Sequence, residues 1–559
     1  MPKPSVAALL APLLLAACTA ASPETPPMSS TVPDTLLTVA ERSDYRATAR
    51  HAEVVALVDA LVASSPLARR GSLGLTFEGR DIPWMTIADP PVETPEEARA
   101  SGKLVVFAFA NIHAGEVCGK EALPVLARDI LLDPQQPRHA ALLSELVLVL
   151  VPIYNGDGNE RISTTSRPNQ DGPAEGQGER PNAQGLDLNR DCMKLESPEG
   201  RAMARFLTAW RPHLVLDLHT TNGSFHRYLL TYAPPLNPEG HPAPLAFVRD
   251  RMLPEVSERL LARTGYDTFL YGNFEERDGD RHGAWATYSA QPRFGAQNHG
   301  LRGHASILSE AYSHATYRER VLATLEFVRE CLDHAVEHAD TLREAVETGW
   351  IETAAAVPRA RGDGQLEAVD VSLTPVVAAH LATVGLRHTI AAAPEPAVIH
   401  GWVETVDADG RVRPTDEPRD YTVRHLDRFE PTVEVRRPLA YLVPPGFDAV
   451  LETLATHGLE TEPWTGEVEL PVEVARVDAV DRAETAFQGH HEVRLEVSTR
   501  RERRAPGPGW TVVPVAQPLG TLAVYLLEPL SDDGLVTWNA LDAHLAVGED
   551  YPILRWVAE

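Results

Sequence analysis

Positive charge is scarce in this 559-residue sequence, which has 51 Lys and Arg against 79 Asp and Glu, a formal net charge of −28. That deficit argues against a nucleic-acid partner, which needs a cationic face. Beyond the N-terminal segment no stretch has 18 consecutive apolar residues, so we expect no membrane-crossing segment there. Hydrophobic residues make up 43% of the chain, and Gly and Pro are moderate, which indicates a globular protein. The length favours two domains.

The N-terminus differs in character from the rest. "MPKPSVAALLAPLLLAACTAASPETPPMSSTVP" has one Lys, a short apolar core and then small residues, which is typical of a secretory signal. Its "LAAC" resembles the lipobox of bacterial lipoproteins. The resemblance implies a signal peptide over residues 1–17, a lipid on Cys18 and, with Thr19 next, an outer-membrane location facing the periplasm. A plain secretory peptide is the alternative. Residues 18–35 are expected to form a flexible tether.

Residues 36–350 alternate strand-like and helix-like segments. Continuous apolar runs bounded by turns suit strands that are buried on both faces, and amphipathic stretches separate them. We therefore expect an α/β domain with a mixed, mostly parallel sheet and helices on both faces. One long helix over 316–350 closes it. The four apolar runs are "LVVFAFAN" (104–111), "ELVLVLVPIYN" (145–155), "PHLVLDLHTT" (212–221) and "ASILSEAY" (305–312).

Residues 351–559 read as a smaller, β-rich second domain. Short alternating runs such as "DYTVRHL", "TVEVRRPLAYLVP", "HEVRLEVST" and "TLAVYLLEP" end in Pro and Gly turns, and "GFDAVLETLATHGL" predicts one helix. "TRRERRAPGPG" (499–509) is interpreted as a solvated basic loop. No catalytic pattern occurs here.

Polar side chains follow each of the apolar runs in the first domain. His113 and Glu116 follow the first run, His219 lies in the third, and Glu310 lies in the last. Sites in open α/β sheets form beyond the carboxyl ends of strands, so these groups are expected at one edge. Two imidazoles and one carboxylate form a zinc ligand set that leaves a fourth position open for water. Alone, however, H-x-x-E is a weak signal.

The combination of motifs is more specific. "HAGE", then "GLDLNR", then "DLH", then a glutamate on a late strand resembles the zinc metallocarboxypeptidases of the carboxypeptidase A type, over roughly residues 45–330. "NGDGNERI", "RPNQDGP", "LNRDCMKLESPEGRA" and "ILSEAYS" are similar to a bacterial branch with an added C-terminal domain.

The resemblance implies a role for each matching residue. One Zn²⁺ per chain is held by His113, Glu116 and His219, and Glu310 is the general base toward a zinc-bound water. Arg167 polarises the carbonyl of the bond to be cleaved, and Arg161 is the alternative for this role. Asn189 and Arg190 bind the substrate's terminal carboxylate. Asp187 orients His113. Tyr288 is assigned to substrate binding, with a packed loop aromatic as the alternative.

Three cysteines remain if Cys18 is lipidated. Cys118 and Cys192 each lie two residues after a predicted site residue, so one hypothesis is a disulfide beside the site, and two buried thiols are the alternative. Cys331 is predicted to lie in the core.

The expected function is zinc-dependent hydrolysis of a peptide bond, which releases a C-terminal residue from a peptide with a free carboxylate. Two alternatives stay open: a periplasmic amidase or peptidase of the same fold acting on murein peptides, and a non-catalytic zinc-binding lipoprotein. The lipid anchor implies contact with a membrane.

Overall fold

A computed structural model describes residues 32–221 and 223–559 of the chain. Cys18 and the predicted signal peptide therefore lie outside the described residues. Within them, no helix is both long enough and apolar enough to span a bilayer.

The first region is built on one eight-stranded sheet with the order β1-β2-β4-β3-β5-β10-β6-β7. Four of its neighbouring pairs are parallel (β4–β3, β3–β5, β5–β10, β6–β7) and three are antiparallel. The strands are β1 (Ala68–Leu75), β2 (Asp81–Ile87), β3 (Leu104–Ala110), β4 (Leu146–Val151), β5 (Leu214–Thr221), β6 (Leu230–Ala233), β7 (Thr268–Leu270), β8 (Asn273–Arg277), β9 (Asp280–Ala286) and β10 (Ala305–Tyr312), of which β8 and β9 leave this sheet.

Helices cover both faces of the sheet, which confirms the predicted α/β architecture. One face packs on α2, α4, α9 and α11, and the other packs on α7 through Phe206 and Trp210. Ser197 caps α7, because its Oγ accepts a hydrogen bond from the Gly200 N–H at 2.8 Å. The helices are α1 (Val39–Arg42), α2 (His51–Ala63), α3 (Pro95–Ala100), α4 (Cys118–Leu132), α5 (Pro137–Glu145), α6 (Gly156–Glu160), α7 (Pro198–Trp210), α8 (Pro242–Ala246), α9 (Leu253–Thr264), α10 (Gly295–Leu301), α11 (Tyr317–Glu337) and α12 (Ala339–Ala354), with a π-helix at Phe247–Met252 and 3₁₀ turns at Asp34–Leu36 and Leu188–Arg190.

The long helix predicted over 316–350 is in fact two helices. His338 leaves the helical conformation (φ −120°, ψ 28°) between α11 and α12. No Gly or Pro marks the break; the His338 ring instead contacts Arg251 of a neighbouring turn, where Arg251 Nη2 lies 3.0 Å from His338 Nδ1. A tertiary contact of this kind leaves no local signal.

The second region is β-rich, as predicted, and contains a six-stranded sheet and three strands of a five-stranded sheet. Its further strands are β11 (Arg359–Ala360), β12 (Leu366–Glu367), β13 (Thr383–Ala392), β14 (Ala397–Val406), β15 (Val412–Arg436), β16 (Ala440–Val443), β17 (Glu462–Pro463), β18 (Leu470–Arg482), β19 (Val493–Arg504), β20 (Thr511–Pro514) and β21 (Leu554–Trp556), with α13 (Pro375–Ala382), α14 (Asp448–His457), α15 (Gly520–Leu527) and a 3₁₀ turn at Asp542–His544. The helix predicted from "GFDAVLETLATHGL" is confirmed as α14.

Two predictions for this region are wrong. The run "TLAVYLLEP" is not a strand: it forms α15, whose eight residues are all buried, and a fully buried apolar run carries no periodicity that separates helix from strand. The basic stretch from residue 499 is not wholly a loop, since β19 continues to Arg504. Arginines there form exposed ion pairs, among them Arg500 with Asp550.

The β8–β9 hairpin links the two regions. It lies between β7 and α10 in the chain, yet β9 pairs in parallel with β15, and Ala284, Trp285 and Ala286 match Arg424, His425 and Leu426. The predicted boundary at residue 350 stays a prediction, but this sheet draws strands from both sides of it.

Candidate functional site

Three strands of the first sheet end at one cavity of about 340 Å³. β3, β5 and β10 are almost entirely buried and run parallel in adjacent positions, so their carboxyl ends meet at the same edge. The cavity is lined by His113, Glu116, Ser166, Arg167, Arg180, Asn189, Arg190, Thr220, Thr221, Tyr271, Tyr288, Phe294, Leu308 and Glu310. His219 and Asp187 lie directly behind this lining. The structure thus brings all nine residues predicted for the site of the first domain together.

The candidate metal ligands converge on one point. One atom each of His113, Glu116 and His219 lies within 4.8 Å of the others, and all three side chains are buried. The Nδ1 atoms of His113 and His219 lie 2.9 and 2.8 Å from the two Glu116 carboxylate oxygens. Burial raises the pKa of Glu116, but His113, Arg167 and His219 more than reverse this and hold it well below its usual value.

Each imidazole faces a second carboxylate with its other nitrogen. His113 Nε2 lies 3.0 Å from Asp187 Oδ1, and His219 Nε2 lies 2.8 Å from Asp217 Oδ1. A carboxylate at Nε2 favours a proton on that nitrogen, so both Nδ1 lone pairs would be available to a metal ion bound beside Glu116. This donor set, two imidazole nitrogens and a carboxylate, fits zinc.

Asp217 is a residue that sequence reasoning missed. It is fully buried on β5, two positions before His219, and both of its oxygens lack a well-aligned hydrogen bond. The signal was present in the motif "DLH", where an acid two residues before a strand-end histidine lies on the same face of the strand.

Glu310 enters the cavity from β10. Its Oε2 is buried and, among the residues that the structure describes, has no hydrogen-bond partner, so it can bind a ligand. Burial raises the pKa of Glu310 to about 8, and the nearby Glu116 carboxylate adds to this, while His219 opposes it. A carboxyl group with such a pKa can both accept and release a proton near neutral pH.

Two arginines, rather than one, line the cavity beside Glu116. Arg167 Nη2 lies 2.5 Å from Glu116 Oε1, and its Nη1 donates to the Thr220 carbonyl at 3.3 Å. Arg180, which sequence reasoning missed, contacts the Asp187 carboxylate at 2.8 Å. The rival Arg161 does not line the cavity and pairs with Glu78 at 3.2 Å.

Asn189 and Arg190 lie side by side on the 3₁₀ turn Leu188–Arg190. Asn189 Oδ1 accepts from the Gly295 N–H at 2.7 Å, which leaves its amide hydrogens to donate elsewhere. The Arg190 guanidinium lies over the Phe294 ring at 3.9 Å and donates one bond to the Asn189 carbonyl at 2.7 Å. Both side chains therefore present donors to the cavity.

Tyr288 lies in the same cavity. Its ring packs edge-on against Tyr271 and Phe294, with centroids 5.7 and 5.3 Å away, and its buried hydroxyl has no hydrogen-bond partner within the described part of the chain. Burial, with the Asp217 and Glu310 carboxylates nearby, raises the pKa of Tyr288 well above its usual value. The side chain is both a packed aromatic and a candidate ligand contact.

The hypothesis of a disulfide beside the site is wrong. Cys118 and Cys192 are both free thiols, as is Cys331, which lies in the core as predicted. Cys118 Sγ points to Thr220 Oγ1 at 3.3 Å, whereas Cys192 lies behind the turn that carries Arg190, where burial raises the pKa of the thiol.

A second group of possible metal ligands lies on the opposite side of this region. Glu255 Oε2 is 3.1 Å from His334 Nε2 and 3.5 Å from His338 Nε2. Arg251 contacts His338, and Arg259 lies 3.7 Å from the Glu255 carboxylate. Because these two arginines already balance the carboxylate and oppose a cation, we assign this group no metal.

Comparisons with known proteins also find similarity to carboxypeptidases. Residues 54–239 match the family model described as zinc carboxypeptidase. Carboxypeptidase 2 of Trichophyton rubrum is 23% identical over 510 residues, which cover 86% of this chain and 81% of the relative. Carboxypeptidase 2 of Trichophyton tonsurans is 23% identical over 504 residues, with the same coverage.

Solved structures with partial similarity include two carboxypeptidases. A metallo-carboxypeptidase from Pseudomonas aeruginosa in complex with (2-guanidinoethylmercapto)succinic acid is 21% identical, with a TM-score of 0.37 over 52% of this chain and 69% of that chain. Carboxypeptidase A from Helicoverpa armigera is 16% identical, with a TM-score of 0.38 over 52% and 74%.

Proposed function

We propose that this chain, a zinc metallocarboxypeptidase, releases the C-terminal residue from peptides whose last side chain is apolar or aromatic. The observation that carries the proposal is the convergence of His113, Glu116 and His219 within 4.8 Å, in the cavity that also holds Glu310 and Arg190. Their presence in one cavity supports the roles proposed below for these residues: metal binding, proton acceptance and binding of a carboxylate.

The metal would be held by the Nδ1 atoms of His113 and His219 and by the Glu116 carboxylate. When bound, zinc supplies Lewis-acid chemistry, which polarises a peptide carbonyl and makes a water molecule more acidic. Asp187 and Asp217 keep both imidazoles in the tautomer that this binding requires.

The other residues of the cavity bind the substrate or transfer protons. Arg190 and the Asn189 amide donate hydrogen bonds to the terminal carboxylate, and this places the last peptide bond beside Glu310. Glu310 takes a proton from the attacking water and passes it to the leaving amine nitrogen. Arg167 donates hydrogen bonds to the carbonyl oxygen as negative charge develops on it.

The proposed preference rests on the aromatic and aliphatic residues that line the cavity. Tyr271, Tyr288, Phe294 and Leu308 form a continuous aromatic and aliphatic surface there, and Leu308 shares the cavity-facing side of β10 with Glu310. A side chain that enters this part loses contact with water, which favours apolar groups over charged ones.

The test is a set of peptides that differ only in the last residue, each made as the free acid and as the C-terminal amide. With zinc-loaded enzyme we expect release of Phe and Leu with a kcat/KM at least about tenfold above that for Lys or Glu, and no release from the amides. A chelator should abolish activity and zinc should restore it. Cleavage of amides, or equal rates for all last residues, would contradict the proposal.

The same assay separates the two alternatives. Cleavage of purified muropeptides without cleavage of linear peptides would favour a murein amidase or peptidase. Zinc binding without turnover of either substrate would favour a non-catalytic lipoprotein. The unpartnered Glu310 favours catalysis, because a group that only holds zinc needs no additional buried carboxyl.

Export and anchoring form a separate proposal, supported by the "LAAC" sequence at residues 15–18. We expect radiolabelled palmitate to be incorporated in a bacterial host and to be lost in Cys18→Ser. Release of unlabelled protein into the periplasm or medium would instead favour a plain secretory signal.

A further inference from the structure

The hairpin between β18 and β19 reaches from the β-rich region to the back of the candidate active site. We define its tip as residues 483–492, closed by a hydrogen bond from the Ala483 N–H to the Glu492 carbonyl at 2.9 Å. Over residues 483–491 only Gln488 and His490 are partly shielded from solvent, and every other side chain is exposed. Both contact the first region, Gln488 through Asp187 and His490 through Glu196, and Glu492 at the base of the tip contacts Arg293.

Gln488 supports the segment that carries the carboxylate-binding pair. Its Oε1 accepts a hydrogen bond from the Asp187 N–H at 2.8 Å. Asp187 in turn accepts from the Asn189 N–H at 2.9 Å and faces His113. The contact therefore holds the backbone at Asp187, two residues before Asn189. The side chain of Asp187 also orients His113, one of the candidate metal ligands.

The backbone at the tip is shaped for this contact. Phe487 and His490 exchange two hydrogen bonds, at 2.8 and 3.0 Å, around a two-residue turn in which Gln488 has φ 51° and Gly489 has φ 84°. Such turns favour Asn, Asp or Gly at the first of these positions, since a longer side chain is strained at positive φ. A Gln held in this conformation is consistent with selection for its side-chain contact.

His490 adds a second tie to the same side of the site. Its Nε2 lies 2.7 Å from Glu196 Oε1, and its Nδ1 lies 2.9 Å from Asn539 Oδ1. Glu196 also accepts from Lys194 at 2.8 Å, so the tip joins a charged network just beyond Arg190.

A second set of contacts holds the segment that carries Phe294. Arg293 is buried and lies between Asp533, at 3.0 Å from its Nε, and Glu492, at 2.5 Å from its Nη1. Its guanidinium also lies over the Trp538 ring at 4.5 Å. Arg293 directly precedes Phe294, whose ring supports the Arg190 guanidinium. Both the turn that carries Arg190 and the ring beneath it are therefore fixed by residues after 480.

We propose that the hairpin tip is part of the substrate site, with Gln488 and Arg293 as positioning residues that fix Arg190 and Asn189 for the terminal carboxylate. This inference rests on the proposed function, since it takes those two residues as the carboxylate-binding pair. It assigns the β-rich region a role in substrate affinity: without the tip, the donors of Arg190 and Asn189 would lose their fixed direction, and more entropy would be lost on binding.

The test uses the full-length, zinc-loaded protein with Gln488→Ala and Gln488→Met, of which the second keeps the side-chain length but has no carbonyl acceptor. His491→Ala is the matched control, because His491 lies on the same tip, is exposed and, among the described residues, its imidazole hydrogen-bonds only to the Ala483 carbonyl; its backbone carbonyl, which accepts from Asn539, is kept in the variant. Binding of 3-phenylpropionate, an apolar carboxylate that cannot be hydrolysed, is measured by calorimetry, and peptide hydrolysis is measured in parallel.

We expect both Gln488 variants to raise the Kd of 3-phenylpropionate and the KM by about five- to tenfold, as the loss of one supporting hydrogen bond allows. The kcat should stay within about twofold, because Glu310 and the metal ligands are not displaced. Zinc content and Tm should match those of the unaltered protein and of His491→Ala.

Two results would overturn the inference. One is an unchanged Kd and KM in both Gln488 variants. The other is a rise in Kd that is matched by loss of zinc or a large fall in Tm, since that would mean a merely structural contact. Failure of the proposed function would look different: the unaltered protein would bind zinc and 3-phenylpropionate yet cleave no peptide, and the Kd comparison would still test the tip.

Discussion

Glu310 lies directly opposite His219 in the register of the parallel strands β10 and β5. The candidate base and a candidate metal ligand are thus fixed by the same backbone ladder, 91 positions apart in the chain (310 minus 219). Because the side chains of cross-strand neighbours project from the same face of a sheet, the distance between these two is set by the sheet rather than by a loop.

Removal of the Glu310 carboxylate should therefore abolish turnover while leaving the metal site intact. In Glu310→Gln we expect kcat to fall about 10³-fold, because the amide cannot accept the proton from water. Zinc content, measured by atomic absorption, should be unchanged. Ser309→Ala is the control: Ser309 is the adjacent residue on β10 and points to the other side of the sheet. Retained activity in Glu310→Gln would remove this residue from the base role.

Substitution of the two arginine candidates for binding the substrate carbonyl should have different effects on kcat. Arg167 lines the cavity, whereas Arg161 pairs with Glu78 on the surface. We expect Arg167→Gln to lower kcat by about 10²-fold, since one donor to the developing oxyanion is lost. Arg161→Gln should stay within about twofold of the unaltered enzyme. Equal losses in both variants would count against the assignment to Arg167.

Asp217 should control metal affinity through His219. Replacing it with Asn keeps the shape but removes the charge that favours a proton on His219 Nε2, so we expect zinc affinity to fall about 10- to 100-fold. Competition with a chromogenic chelator measures this. Asp267→Asn is a matched control, because Asp267 forms another Asp–His pair, 2.7 Å from His400 Nδ1, away from the site. Unchanged affinity in Asp217→Asn would refute the role.

Acid should destabilise the fold through buried neutral histidines. Burial, aided by Arg302, lowers the pKa of His457 to about 3, and burial lowers that of His226 to about 3. In the unfolded chain a histidine binds a proton below its ordinary pKa of about 6.5, whereas these two stay neutral in the fold. The free energy of unfolding is therefore undiminished by these two groups above pH 6.5. It falls as the pH drops from 6.5 toward 3, by about 2 kcal/mol for each histidine at pH 5.

The measurement compares Tm between pH 7.5 and pH 5 in the unaltered protein and in His457→Gln. Gln can still donate to the Met193 carbonyl and accept from Arg302, the two partners of His457 at 2.9 Å. We expect Tm to fall less steeply with acidification in the variant. Parallel curves would show that His457 is not a source of the acid sensitivity.

The sequence predicted the first sheet well because its central strands are buried on both faces. β3 is an uninterrupted apolar run, β5 and β10 are mostly apolar, and His113, His219 and Glu310 lie at or just beyond the carboxyl ends of these strands. The resemblance to zinc metallocarboxypeptidases, which depended on those ends, is confirmed by the family match over residues 54–239. The apolar runs and the family motif both arise from the same feature, which is the edge of a parallel sheet.

What the sequence could not predict depends on contacts between distant residues. Arg180 comes from a long loop without regular structure, so nothing local distinguished it from Arg161. Helix α15 is buried on all sides, and its sequence therefore lacks the apolar and polar periodicity of about 3.6 residues that identifies a helix. Gln488 acts on a residue 301 positions away, and no local pattern encodes such a pair.

The parallel pairing of β9 with β15 has a consequence for how the chain is made. Ala284 meets Arg424, so 140 residues (424 minus 284) must be synthesised before the hairpin that holds the fully buried Trp285 finds its neighbour. At about 5–20 residues per second, roughly 7–28 s of synthesis separate the hairpin from its partner strand. During that interval it exposes an unpaired strand edge and a large aromatic surface, which makes it a natural binding site for a chaperone, and a chain that stopped near residue 350 would keep that edge open permanently.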